Sequence, residues 1–193
     1  FPFHVAGAVY TRWGRTNCTD GIHTELVYRG YAGGSHWTST GAASDYLCLP
    51  KDPQWGNYDD AVAGDSEVWG AEYETWTFAP FSLRNADSST LHEHNVPCAV
   101  CRAKTRASVL MVPAHKECHE GWTKEYSGYL TSGHKFHKAG FQYACMDAAP
   151  EVEAAGHRDE NGALFHAVEG VCGSLPCPPY INGRELTCVV CTK

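Results

Sequence analysis

Four consecutive polar residues, His92–Asn95, offer the side chains best suited to ligand chemistry in this sequence. If the segment is a strand, His92 and His94 point to one face, which suits a shared metal ion or polar ligand. Glu93 and Asn95 then share the opposite face, so the four side chains converge only if the segment is irregular. The alternative is two surface histidines beside a disulfide.

The pair His134 and His137 is a second arrangement of histidines with ligand-like spacing. Lys135 and Lys138 lie beside it, and their positive charge disfavours a bound cation. The pair is therefore the weaker candidate for metal binding.

Carboxylates cluster in one acidic segment and are the hard oxygen ligands that Ca²⁺ prefers. The metal candidates are Asp59, Asp60, Asp65 and Glu67. Their spacing does not fit a twelve-residue calcium loop, and a solvated acidic loop is the alternative. We keep calcium as the candidate cofactor.

Aromatic residues alternate with acidic, amide and histidine residues in the first half of the chain. Four of them are Trp37, Trp55, Trp69 and Trp76. Aromatic faces that stack on a pyranose, with carboxylates or amides that bind its hydroxyls, would form a sugar site. The alternative is that Trp69 and Trp76, which flank strand-like segments, belong to the core.

These residues together predict a ligand-binding surface in the first half. It comprises Glu72, Trp76, His92, Glu93, His94 and Asn95. Ring faces beside hydrogen-bonding groups are the mix that a sugar requires.

Catalytic motifs find little support. No Gly-x-Ser-x-Gly elbow occurs, and every cysteine has a candidate partner, which removes the thiol as a nucleophile. Glu72 and Glu74 share a strand face, where paired carboxylates are more often solvated than catalytic. We therefore predict that the chain is not an enzyme.

Ten cysteines form the framework that must position these side chains. Eight fall into two sets of one pattern, a lone Cys, a second Cys and a closing Cys-x-x-Cys: Cys18, Cys48, Cys98 and Cys101, then Cys118, Cys145, Cys188 and Cys191. Cys172 and Cys177 have no counterpart and are predicted to pair with each other. This count predicts disulfides formed in an oxidising compartment, with zinc binding as the alternative. Four cysteines in a set allow three connectivities.

The text around the cysteines repeats as well. Tyr28-Arg-Gly30-Tyr31 follows Cys18 much as Tyr126-Ser-Gly128-Tyr129 follows Cys118. We infer a tandem duplication, with a first β repeat at 1–103 and a second at 104–193, packed as one unit.

Secondary structure is predicted to be almost entirely strand, because β-branched and aromatic runs are bounded by turn residues. The predicted strands are Ala8–Trp13, Thr24–Tyr28, Tyr73–Phe78, Ser108–Val112 and Leu186–Val190. One short helix is predicted at Met146–Ala155.

Composition narrows the partners. The formal net charge of −7 argues against nucleic acid and anionic membranes, and no apolar run is long enough to span a bilayer. With the cysteine pattern, this predicts a secreted, extracellular protein. The sequence contains no Gly-X-Y tract, so we expect a role other than nucleating a collagen triple helix.

Several motifs resemble the C-terminal non-collagenous domain of spongin short-chain collagens. They are Tyr10-Thr-Arg-Trp-Gly-Arg15, Glu25-Leu-Val-Tyr28, Ala32-Gly-Gly-Ser35, Asp45-Tyr-Leu-Cys-Leu-Pro50, Gly70-Ala-Glu-Tyr73, Val96-Pro-Cys-Ala-Val-Cys101 and Cys172-Gly-Ser-Leu-Pro-Cys-Pro-Pro179. More distantly, Cys118-x-x-Gly-Trp122 and its neighbours are similar to the C-terminal domain of type IV collagen.

The resemblance implies a fold and a disulfide pairing. The fold is all-β, with two disulfide-rich subdomains related by a pseudo-twofold axis. The implied bridges are Cys18–Cys101, Cys48–Cys98, Cys118–Cys191 and Cys145–Cys188, with Cys172–Cys177 as a small local loop.

Two functions fit these expectations. The first is a secreted, lectin-like protein that binds glycans or matrix glycoproteins, assisted by a divalent cation. The second is an extracellular-matrix assembly module of a short-chain collagen-like protein. We expect a homo-oligomer, no nucleic-acid partner and no membrane insertion.

Overall fold

Ten β-strands and five disulfide bonds build the computed structural model, which describes residues 6–61, 64–75, 80–81, 91–154 and 156–193. The strands are β1 (Val9–Trp13), β2 (Thr24–Gly34), β3 (Leu47–Pro50), β4 (Trp69–Glu74), β5 (Pro97–Ala103), β6 (Val109–Pro113), β7 (Thr123–Ser132), β8 (Ala144–Asp147), β9 (Ala163–Ala167) and β10 (Thr187–Thr192). These ranges contain no helix, so the predicted all-β class is confirmed. None of the described segments is a long apolar helix of the kind that crosses a membrane.

The predicted helix at Met146–Ala155 is wrong over its described part. Met146 and Asp147 end β8, and a bend and irregular backbone follow. Pro150 cannot donate to a helical ladder, and neighbouring backbone groups are taken by distant residues. The Arg15 guanidinium donates to the Ala149 carbonyl at 2.8 Å. The predicted strand at Tyr73–Phe78 overlaps the end of β4, and its last residues, Trp76–Phe78, lie outside the described ranges.

All ten strands belong to one sheet. Among the first five strands, β5 pairs with β1 and β2, and β2 also pairs with β3 and β4. Among the last five, β10 pairs with β6 and β7, and β7 also pairs with β8 and β9. Two parallel contacts, β1 with β8 and β4 with β9, join the two groups.

Glycine is required where the third strand of each group meets the second. A Cβ on Gly30 would collide with the carbonyl oxygen of Leu49, and one on Gly128 would collide with that of Met146. Each glycine closes a Tyr-x-Gly sequence whose tyrosine binds the same third strand. The Tyr28 hydroxyl donates to the Cys48 carbonyl at 2.9 Å.

The core mixes residues from both groups of strands. In one cluster, the rings of Tyr46 and Phe165 stack with centres 3.9 Å apart. In the other, Tyr10 packs near Tyr126, and the Tyr10 hydroxyl donates to buried Glu125 at 2.8 Å. The two groups are thus joined by apolar packing and by buried hydrogen bonds.

The disulfide pairs are those that the resemblance implies. They are Cys18–Cys101, Cys48–Cys98, Cys118–Cys191, Cys145–Cys188 and Cys172–Cys177. No cysteine of the described chain is free.

Candidate functional site

The segment His92–Asn95 forms a turn against β4. The Glu93 N–H donates to the Tyr73 carbonyl at 2.9 Å, and the Tyr73 N–H donates to the His94 carbonyl at 3.0 Å. Glu93 has a φ of 62°, which a strand does not contain. The alternation that would place both imidazoles on one strand face is therefore lost.

The two histidines of this turn have different neighbours. His92 Nε2 lies 3.2 Å from Glu93 Oε1, and His92 Nδ1 lies 3.7 Å from Glu74 Oε2. The His94 ring instead lies 5.8 Å from the ring of His157. His92 and His94 therefore do not form one binding position as they stand.

Glu72 and Asn95 have structural contacts. Glu72 is 3% exposed, and its carboxylate accepts the N–H groups of Glu160 at 3.0 Å and Asn161 at 3.1 Å. The Asn95 N–H donates to the Gly156 carbonyl at 2.8 Å. Trp76, the remaining predicted ligand residue, lies outside the described ranges. Ligand binding by this predicted surface stays a prediction.

The acidic metal candidates are all exposed side chains: Asp59, Asp60, Asp65 and Glu67. Asp59 accepts the N–H of Ala61 at 3.0 Å, and Glu67 accepts the indole N–H of Trp69 at 2.8 Å. As the side chains stand, the described ranges contain no three His, Cys, Asp or Glu residues that could hold a metal ion together. The calcium hypothesis stays a prediction.

The tryptophans divide differently from the expectation. Trp69 is 40% exposed and lies beside the His36 ring, so the alternative that places it in the core is wrong. Trp55 is 77% exposed. Trp37 is half-buried and borders a large cleft.

This cleft has a volume of about 990 Å³ and is the candidate functional site. It lies where the ends of β4 and β7, strand β9 and the β2–β3, β7–β8, β8–β9 and β9–β10 loops meet. Its aromatic walls are Trp37 and Tyr143. Its polar lining is Glu74, Ser132, His134, Lys135, His137, Asp159, Asn161, His166, Glu169 and Glu185. Aromatic faces and hydrogen-bonding groups therefore converge here, as a polar organic ligand requires.

Strand pairing brings three histidines into this cleft. Ser132, the last residue of β7, pairs with His166 of β9, so the loop that follows β7 begins beside His166. In that loop, the His137 N–H donates to the His134 carbonyl at 3.0 Å, which closes a tight turn. We call His134, His137 and His166 the histidine cluster.

The aromatic wall is held by backbone bonds from both sides. The Trp37 N–H donates to the Gly162 carbonyl at 3.0 Å, and the Ala139 N–H donates to the Trp37 carbonyl at 3.1 Å. The Trp37 ring lies 4.7 Å from the His137 ring, whereas Tyr143 is 61% exposed. Because these bonds involve only the backbone of Trp37, its side chain can be changed without breaking them.

Burial and neighbouring imidazoles lower the pKa of two members of the histidine cluster, His137 and His166. Burial, followed by the nearby imidazoles of His134, His137 and His92, lowers the pKa of His166 to about 4. Burial and the neighbouring His134 also lower the pKa of His137. His166 Nε2 is buried and has no hydrogen-bond partner among the described residues.

Sequence spacing shows only part of this site. His134 and His137 are close in sequence, but His166 joins them through strand pairing and has no local motif. The internal repeat offers one signal for His166. Ala71 pairs with Ala163 and Glu74 pairs with His166 across β4 and β9, so Glu74 and His166 hold matching positions in the register of these two strands. A scan of the chain against models of known protein families finds no match. The functional assignment therefore rests on the geometry of the cleft.

Proposed function

We propose that this chain is an extracellular, non-enzymatic carbohydrate-binding protein whose ligand occupies the cleft beside Trp37. The observation that carries the proposal is the lining of this cleft, in which Trp37 and Tyr143 are joined by carboxylates and the Asn161 amide. Ring faces can stack on the apolar face of a pyranose, while the carboxylates and the amide accept and donate hydrogen bonds to its hydroxyls. Lectin-like recognition needs both kinds of group.

The cleft is also suited to an extended glycan. It is open to solvent, and its volume of about 990 Å³ exceeds the size of one sugar ring. Four carboxylates line it, from Glu74, Asp159, Glu169 and Glu185, against one lysine, Lys135. These features favour a neutral or amine-bearing sugar over a sulfated one, because like charges repel.

The scaffold supports a tandem duplication of two β repeats with pseudo-twofold symmetry. The strands pair in the same order in residues 1–103 as in residues 104–193, and the β-bulges lie at matching positions. In β2 the bulge lies between Leu26 and Tyr28, opposite Cys101 and Val100. In β7 the bulge lies between Lys124 and Tyr126, opposite Cys191 and Val190.

Extracellular localisation is supported by the five disulfides. Such bonds form and persist in oxidising compartments. The same scaffold and pairing are what the resemblance to the non-collagenous domains implies, so a matrix environment with glycoprotein partners fits this proposal.

A glycan array tests the proposal on the disulfide-intact protein. Trp37→Ala should lower the affinity for the bound sugar by roughly tenfold or more, since a stacked ring contributes on the order of 1 kcal/mol beyond its buried area. Trp55→Ala is the matched control, because Trp55 is 77% exposed and does not line the cleft. Equal binding by wild type and Trp37→Ala would place the sugar elsewhere.

Matrix assembly is the second candidate function. Strands β1 to β3 carry exposed apolar side chains, as an association surface would: Val9, Leu26, Val27, Tyr31 and Leu47, each 43–54% exposed. A chain that binds no glycan and sediments as a stable homo-oligomer would favour this function over the lectin.

A further inference from the structure

We propose that the histidine cluster binds one divalent transition-metal ion of the Zn²⁺ class, with solvent completing its coordination. The ring centres of His134 and His137 lie 5.0 Å apart, those of His134 and His166 lie 5.0 Å apart, and those of His137 and His166 lie 5.4 Å apart. Three imidazoles from two elements thus form a nearly equilateral triangle on one wall of the cleft. The proposal does not depend on carbohydrate binding.

The size of this triangle matches three-histidine coordination. A Zn–N bond of about 2.0–2.1 Å places each ring centre about 3.2 Å from the metal. Three rings arranged tetrahedrally at that distance have centres about 5.2 Å apart. The observed spacings fall on either side of this value, so the ring centres already lie at the separation that a three-histidine site has.

The rings must turn before they can bind the ion, because no such group of ligands exists in the described ranges as the side chains stand. Rotation about the Cβ–Cγ bond is soft in histidine, and the ring centre lies close to that axis. The nitrogens can therefore swing toward a common point while the centres stay in place. For His134 the cost is one long hydrogen bond, from the Phe136 N–H to Nδ1 at 3.3 Å.

His166 supplies a second observation that indicates a ligand. Its Nε2 is buried and has no hydrogen-bond partner among the described residues. A buried polar atom without a partner costs free energy that a bond to it would restore. A metal ion bound by Nε2 would provide such a bond.

The charge of the cleft favours a cation. Its lining contains four carboxylates, from Glu74, Asp159, Glu169 and Glu185, and one ammonium group, from Lys135. The Lys135 Nζ lies over the Phe136 ring, 5.0 Å from its centre. Imidazole ligands select Zn²⁺, Cu²⁺ or Ni²⁺ rather than Ca²⁺, which prefers oxygen. The inferred ion is thus chemically distinct from the calcium considered for the acidic segment.

The test is calorimetric titration of Zn²⁺ into the metal-stripped, disulfide-intact chain, with no sugar present. Wild type should bind one equivalent, and His137→Ala should weaken binding by more than about tenfold. His36→Ala is the matched control. The Thr38 N–H donates to His36 Nδ1 at 3.3 Å, as the Phe136 N–H does to His134 Nδ1. The first turn, however, has Ser39 at the position that His137 holds in the second. The Zn²⁺ affinity of His36→Ala should stay within about twofold of wild type.

Two further measurements complete the test. Co²⁺, used as a spectroscopic probe, should give the intense visible bands of a four-coordinate site in wild type and lose them in His137→Ala. His134→Gln should weaken Zn²⁺ binding as His137→Ala does, with a melting temperature near that of wild type. Absence of Zn²⁺ binding to wild type, or unchanged affinity in either cluster variant, would overturn the proposal. Glycan binding by a chain that takes no Zn²⁺ would leave the carbohydrate proposal standing alone.

Discussion

Two turns, one after β2 and one after β7, close in the same way. The Ser39 N–H donates to the His36 carbonyl at 2.9 Å, and the His137 N–H donates to the His134 carbonyl at 3.0 Å. In each turn, Nδ1 of the first histidine accepts the N–H two residues later at 3.3 Å. The backbone geometry and the first histidine are therefore common to both.

The two turns differ in the side chains around that histidine. The first turn has Ser39 at its fourth position and follows Gly34, which pairs with Trp69 of β4. The second has His137 at its fourth position and follows Ser132, which pairs with His166 of β9. The second turn therefore gains one imidazole from its own fourth position and one from the adjoining strand, where the first turn has a serine and a tryptophan.

The largest expected effects test whether the two scaffolds are equivalent. Replacing both cysteines of Cys48–Cys98 or of Cys145–Cys188 by alanine should each lower the free energy of unfolding by about 4 kcal/mol, because the bridges span 50 and 43 residues. Removing Cys172–Cys177, which spans 5 residues, should cost about 2 kcal/mol. Guanidinium unfolding of the non-reduced proteins measures all three.

Equal costs for the first two bridges would support matching roles in the two halves. If removal of one bridge leaves the free energy of unfolding unchanged while removal of the other lowers it, the two bridges do not contribute equally to the stability of their halves. The short bridge serves as the internal control, since it has no counterpart in the first half.

Much of this scaffold could be predicted from local sequence. The strand class follows from β-branched runs and turn residues. The cysteine count indicates disulfides, whereas their pairing in each set is what the resemblance to the non-collagenous domains implies. Residues such as Glu72 could not be assigned in the same way, because burial and hydrogen bonds to Glu160 and Asn161 depend on strand pairing. His166 was missed for the same reason, since its two partners lie in a separate segment.

An intermediate effect is expected at Glu72, whose register partner in β9 is Leu164. Glu72→Gln should lower the free energy of unfolding by about 2 kcal/mol, because an ionised acceptor of two backbone N–H groups is replaced by a neutral one. Chemical unfolding near neutral pH measures the change. Glu67→Gln, on an exposed carboxylate, is the control and should stay within about 0.5 kcal/mol of wild type.

A Glu72→Gln protein with wild-type stability but impaired glycan binding would reverse this assignment. It would show that Glu72 reaches a ligand, as predicted from the sequence, and does not act mainly as the acceptor of the Glu160 and Asn161 N–H groups. The comparison between the two halves would then extend to a second binding surface in the first one.

The smallest effect concerns the positive charge of Lys135, which opposes cation binding at the second turn. Lys135 is exposed, and its ammonium lies over the Phe136 ring, 5.0 Å from the ring centre. At a separation on the order of 10 Å in a water-like dielectric, its repulsion of a divalent ion is below about 1 kcal/mol. Lys135→Gln should therefore tighten Zn²⁺ binding by about twofold at low ionic strength, and by less in 0.15 M salt, because the Debye length is then only about 8 Å.

Lys138→Gln, on a residue that does not line the cleft, is the matched control in the same titration. An increase in Zn²⁺ affinity of tenfold or more in Lys135→Gln would mean that the lysine blocks the histidine cluster directly. The positive charge beside His134 and His137 would then disfavour a bound cation, as the sequence predicts.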